Sequence, residues 1–108
     1  AHLRVSVRVP VRASQRELRA GIRVVVGCND RCSVVPALRA LAGGRTRTGG
    51  PTRLVVPAGE RRDLVLRASS RALAQARRSR SPRLRLELTF HSRIGPRRVS
   101  VRQIAITG

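Results

Sequence analysis

Few side chains in this 108-residue chain carry reactive chemistry: two cysteines, two histidines and five carboxylates. Cys28 and Cys32 stand four positions apart. A structural zinc wants four protein ligands, so His2 and His91, distant in sequence, would both have to converge on the cysteine pair. The spacing is also not the Cys-x-x-Cys of redox motifs. The favoured reading is a short disulfide across Cys28-Asn29-Asp30-Arg31-Cys32, with reduced core thiols or a metal site as the alternatives. Closing a five-residue loop contributes about 2 kcal/mol in the chain-entropy account, less any strain. A disulfide also implies an oxidising compartment, and therefore export.

Catalysis finds little footing. Glu17, Asp30, Glu60, Asp63 and Glu87 are scattered over turns and outward strand positions. Each has arginines nearby that favour the ionised form, which suits ion pairs better than a general acid. His91 and Ser92 adjoin in sequence, but adjacency is not the geometry of a base and its nucleophile. The stretch Gly44-Arg45-Thr46-Arg47-Thr48-Gly49-Gly50-Pro51 echoes a phosphate loop, yet Gly50 and Pro51 stand where Lys and Ser or Thr must reach the phosphates and the metal. It reads as a connection between strands in which Arg45 and Arg47 are able to touch an anion. The chain is expected to be no enzyme, with no cofactor, no bound metal and no small-molecule substrate.

Charge is the outlier. There are 24 basic residues, every one an arginine, against five acids, for a net charge of +19. Part of this is compositional: Lys, Met and Tyr are absent while Arg and Ala abound, as expected of GC-rich codons. The other reading is attraction to a polyanion. Arg4, Arg8, Arg23, Arg83, Arg85 and Arg102 are the candidates for such a grip, because outward strand positions can line up across a sheet. Base stacking has only Phe90 to offer, and no zinc-finger, helix-turn-helix or RNP pattern is present. Phosphate contact would be salt-dependent and blind to sequence. The tract Arg77-Arg78-Ser79-Arg80-Ser81-Pro82-Arg83 reads as a solvated helix end whose cations oppose the negative helix C-terminus.

The elements that position these residues show mainly a period of two. Leu3, Val5, Val7, Val9 and Val11 share one face of a first strand, and Pro10 marks it as an edge. Ser14 and Glu17 have capping-box spacing for a single helical turn with Leu18 inward and Gly21 as its stop. Ile22, Val24, Val26 and Cys28 share the face of a second strand. After the Asn29-Asp30-Arg31 turn, a return strand runs over 33–41, where Pro36 argues for an edge or a bulge. Residues 42–51 form a Gly-rich loop. Short strands follow at 53–56 and 61–67, separated by the Pro57-Ala58-Gly59 turn. Ala72, Leu73 and Ala76 behind a Ser69 or Ser70 cap predict a helix of two to three turns ending before Pro82.

Leu84, Leu86, Leu88 and Phe90 then define the clearest strand, Gly95-Pro96 a turn, and 98–106 a last strand. In it, Val99 and Val101 have one parity and Ile104 and Ile106 the other, which predicts a β-bulge near Arg102 or Gln103. About seven strands with turn signals between them favour an all-β sandwich. Residues 1–108 read as one domain, and no apolar run approaches the roughly 20 residues that cross a bilayer.

The run Gln15-x-x-Leu18-x-x-Gly21-Ile22-x-Val24-x-Val26-x-Cys28-x-x-x-Cys32-x-Val34 resembles Arg-rich modules of secreted or surface proteins from high-GC actinobacteria. So does the later order of Pro57-Ala58-Gly59 turn, strand, Arg77-Arg78-ended helix and Leu-alternating strand. The resemblance covers essentially the whole chain. Such modules are similar to immunoglobulin or fibronectin type III sandwiches, and the likeness implies an extracytoplasmic, often tandem, non-catalytic role with no catalytic residues to carry over. The core Trp, the corner Tyr and the inter-sheet Cys pair of antibody domains are absent, the two cysteines here being too close to bridge opposing sheets. The expected fold is an immunoglobulin-like β-sandwich of about seven strands with a short helix between the fifth and sixth. The expected role is a structural, adhesive or spacer module of an exported protein, extracellular or at the cell surface, whose partners are neighbouring domains of a longer chain. A polyanion-binding module is the alternative. The start at Ala1, without Met or a signal-like leader, reads as a mature product or an excised piece.

Overall fold

The chain passes back and forth between two β-sheets, and its turns dictate each crossing. The computed structural model describes residues 2–40, 45–46 and 53–108. Its elements run β1 (Val5–Arg8), β2 (Arg12–Ser14), α1 (Gln15–Ala20), β3 (Ile22–Cys28), β4 (Cys32–Ala40), β5 (Arg45–Thr46), β6 (Leu54–Val56), β7 (Arg61–Leu66), α2 (Ser70–Ala76), β8 (Arg83–Ser92) and β9 (Gly95–Thr107). A smaller sheet has the order β1-β3-β7. A larger one has the order β2-β9-β8-β4-β5, with β6 also paired to β4. All neighbours are antiparallel except β2 and β9.

Alternating side chains fill the space between the sheets. Val24, Val26, Leu64 and Leu66 of the smaller sheet meet Val34, Leu38, Leu84, Leu86, Leu88, Phe90 and Ile104 of the larger one, all buried. The helices close the ends with Leu18 from α1 and Ala72, Leu73 and Ala76 around α2. α1 is held by the expected capping box: the Ser14 hydroxyl accepts from the Glu17 amide at 3.1 Å, and the Glu17 carboxylate accepts from the Ser14 amide at 3.0 Å. Gly21 stops it at φ 127°, where a Cβ would also lie 2.6 Å from Val65 Cγ1. Only glycine fits both the dihedral and the space.

Several expectations are corrected. The first strand is not continuous. Around Pro10 the chain leaves the smaller sheet for the larger, so Val11 is turned out and 75% exposed while Leu3 is buried. The turn after Cys28 does not make a hairpin. β3 belongs to the smaller sheet and β4 to the larger, so the Cys28–Cys32 disulfide, with its Cα atoms 6.4 Å apart, bridges opposing sheets. Three residues suffice because the chain crosses where the two sheets converge. α2 stops at Ala76 with Arg77 as its C-cap, and Arg80 lies beyond it. The turn between β8 and β9 is Arg93-Ile94, with Ser92 paired to Gly95, so Gly95-Pro96 opens β9 instead of preceding it. The register of β9 is unbroken through Arg102 and Gln103, and the irregularity lies between Phe90 and Ser92 of β8. Pro36 sits inside the sheet, buried, opposite Leu88 on β8. On its other side β6 reaches Val34 and β5 begins at Leu38, so among the described residues no strand pairs with Pro36 there and its missing N–H costs no ladder bond. The phosphate-loop-like stretch lies outside the described residues apart from the backbone of 45–46.

Candidate functional site

The long strand β9, like the edge strands β1 and β7 of the smaller sheet, has edge residues with no strand partner among the described residues. One edge of β9 is paired with β8 along its length. The other is covered only at its end, where β2 lies parallel in the register Arg12↔Ala105, Ala13↔Ile106 and Ser14↔Thr107. Backbone groups of successive strand residues point to alternate edges. The Ile106 amide donates to the Pro82 carbonyl at 2.9 Å, on the β8 side, and the Ala105 amide donates to the Val11 carbonyl at 2.9 Å, on the β2 side. Even-numbered residues of β9 therefore serve the β8 ladder. The N–H and C=O groups of Arg97, Val99, Val101 and Gln103 face the open edge, where no strand pairs with them among the described residues.

Side chains follow the same alternation. Val99 and Val101 lie on the outer face beside Thr89 and Glu87, 50% and 39% exposed. Val35 and Ala37 of β4, both half-buried, continue this face across Thr89 and Glu87. On the opposite parity come Arg98, Ser100 and Arg102. Arg98 Nη1 donates to the Leu3 carbonyl at 2.6 Å, tying β9 to the segment that leads into β1. Arg102 Nη1 donates to the Val101 carbonyl at 3.0 Å, so its guanidinium folds over one of the open-edge acceptors.

The carboxylates are occupied. Asp63 pairs with Arg23 at 2.6 Å, Glu60 with Arg62 at 3.3 Å, and Glu87 with Arg85 at 3.0 Å and Arg39 at 3.9 Å. Asp30 accepts from the Ser92 hydroxyl at 3.2 Å and faces Arg93 at 3.8 Å. Glu17 has its pKa lowered, first by the Ser14 backbone N–H and then by the Ser14 hydroxyl. Among the described residues no three His, Cys, Asp or Glu side chains gather where they could hold a metal. A cavity of about 450 Å³ opens at the disulfide end, lined by Arg31, Cys32, Ser33, Val55, His91 and Arg93. It sets His91 across from Ser33 and places no carboxylate among its lining residues.

The six arginines proposed for a polyanion grip are all exposed but do not converge. Arg8 and Arg23 stand on the outer face of the smaller sheet, with Arg4 just before β1. Arg83 and Arg85 stand on the outer face of the larger sheet, and Arg102 lies at the β9 edge. Arg23 and Arg85 are engaged by acids, and Arg83 donates to Gln103 at 2.9 Å. The cysteines are joined as expected. What the sequence reading missed is the open edge itself. Its signal was the parity conflict between the valines and isoleucines of β9, which a strand buried on one face at one end and exposed on the other at its middle produces without any bulge.

No family model matches the sequence, and no curated protein matches it. Among solved structures, the chain is similar to the periplasmic chaperone SfaE, with a TM-score of 0.69 at 10% identity, covering 94% of this chain and 55% of that one. The chain thus spans about half the length of that chaperone. At this identity the likeness speaks to the fold, and it supports an immunoglobulin-like β fold.

Proposed function

We propose that this chain is a non-catalytic, immunoglobulin-like sandwich module of an exported protein, and that it acts adhesively, by adding an extended segment of a partner polypeptide to the open edge of β9. One observation carries the reading: among the described residues no strand pairs with the edge to which residues 97, 99, 101 and 103 turn their backbone donors and acceptors, beside two exposed valines. Strand addition draws affinity from such main-chain groups and selectivity from alternate side chains. An extracytoplasmic setting is supported by the disulfide and by the likeness to a protein named as a periplasmic chaperone. Distribution of the arginines over both outer faces and the edge favours this adhesive reading over a polyanion grip.

The test uses proline as an edge-specific probe. Val101→Pro deletes an N–H that serves no ladder bond and fits the extended backbone, so the melting transition stays within a few degrees of the parent. A short alternating Thr/Val peptide carrying a terminal Trp is expected to bind the parent and to slow amide exchange at Val99 and Val101. Val101→Pro abolishes the binding and, with it, the slowed exchange at Val99. Binding that survives the substitution, or binding with no change in exchange at these amides, overturns the proposal.

A further inference from the structure

The side chains flanking the open edge restrict what the added strand can be. We infer that the β9 edge selects an acidic partner strand, one that reads acid–apolar–any–apolar–acid along its length, and that it rejects a second copy of this chain. This rests on the strand-docking reading above and adds the chemistry of the ligand.

The argument begins with the ladder. In antiparallel addition Val99 and Val101 lend their backbone bonds to the newcomer, so Arg98, Ser100 and Arg102 fall at the non-hydrogen-bonded positions, where facing side chains come closest. A residue opposite Arg102 meets a guanidinium already bent over the edge, held by the Val101 carbonyl at 3.0 Å. That carbonyl is itself an acceptor for the incoming strand, so docking frees the guanidinium of its present partner. A carboxylate across from it supplies a replacement. Four positions along the newcomer, a second carboxylate faces Arg98. Between them, on the outer face, β-branched side chains cover Val99 and Val101. Cross-strand pairs of these kinds are each favourable, and like charges directly opposite are not.

The same geometry excludes self-pairing. Two β9 strands placed antiparallel about Ser100 set Val99 against Val101, the register that matches both valines of each chain to valines. It also sets Arg98 against Arg102 twice, with Arg97 nearby on each chain. Basic side chains on an exposed edge are a device against edge-to-edge association. Here they favour a strand of opposite charge over a second copy of the chain.

The experiment measures anisotropy of Trp-tagged peptides with the intact, oxidised chain. The probes have the cores Glu-Val-Thr-Val-Glu, Gln-Val-Thr-Val-Gln, Lys-Val-Thr-Val-Lys and the phase-swapped Val-Glu-Thr-Glu-Val. The first is expected to bind about fivefold or more tighter than the glutamine peptide, from two ion pairs of the strength usual across strands. The lysine and phase-swapped peptides bind more weakly still. Arg102→Ser removes about half of the glutamate advantage in free energy and does not weaken the glutamine peptide, whereas Arg85→Ser alters neither. Equal affinity for the glutamate and glutamine peptides overturns the acidic preference while strand docking stands. Equal affinity for the glutamate and phase-swapped peptides reduces the effect to bulk charge and overturns the register. If none of the four binds, both this inference and the docking reading fall. Sedimentation of the free chain as a dimer through β9 would contradict the exclusion of self-pairing.

Discussion

Residues 105–107 and 96–103 belong to one strand and share one partner in β8, yet they meet their surroundings in opposite ways. At the far end, β2 pairs with β9 in parallel, Ile104 is fully buried, and Ile106 packs against the core. Along the nearer stretch the second edge carries no strand among the described residues, and two valines stand in solvent. The difference arises in the first strand. Pro10 cannot continue a ladder, so the chain leaves the smaller sheet, and the few residues before α1 suffice to cover only the end of β9. The capping box then forces the chain into a helix at Gln15. How far β9 is covered is set by where two local signals, a proline and a cap, fall in the sequence.

Substitutions that separate the two stretches sharpen this contrast. The largest effect belongs to Ile104→Ala, which empties a fully buried site and costs about 2–5 kcal/mol in urea unfolding. Val99→Thr on the exposed stretch changes stability by no more than about 0.5 kcal/mol. Equal losses at the two positions would mean that the edge is covered after all. Next in size is reduction of the disulfide, expected to lower stability by about 2 kcal/mol. Peptide affinity at the β9 edge is expected to survive reduction at temperatures where the chain stays folded, since the β8–β9 ladder does not depend on that link. Parallel loss of both would merge the two regions into one unit.

The smallest effect concerns the cap beside the covered end. Glu17 has a depressed pKa in the folded chain, so the stability that it lends is present above its unfolded value and is lost as pH falls through the folded one. Stability curves of the parent and Glu17→Gln are expected to differ at neutral pH and to converge in acid, below the ordinary carboxylate range. A gap that persists unchanged in acid would show that the carboxylate charge plays no part.

Much of this architecture is legible in the residues. The alternation of Leu84, Leu86, Leu88 and Phe90 states a strand and its inner face without ambiguity. Ser14, Glu17 and Gly21 spell out α1 from cap to stop, and the Cys28–Cys32 pairing is readable from spacing and the lack of other ligands. Sheet membership is not legible. Cys28 and Cys32 look like the two arms of a hairpin because alternation reports which face is buried and says nothing about which sheet a strand joins. β2 and β5 are too short to show a period at all. The candidate site escaped for a related reason. Val99 and Val101 carry the same apolar signature as core valines, and only the register with β8 reveals that they point away from Leu86 and Leu88.

The parallel contact between β2 and β9 has a mechanical side. One strand comes early in the chain and the other late, and they run in the same direction. Tension applied through the two ends would drag them lengthwise past each other, loading Arg12 to Ser14 and Ala105 to Thr107 in shear, so that their bonds must rupture together instead of peeling singly. Strung in series, such units would behave as stiff links that hold under load until a whole clasp gives way.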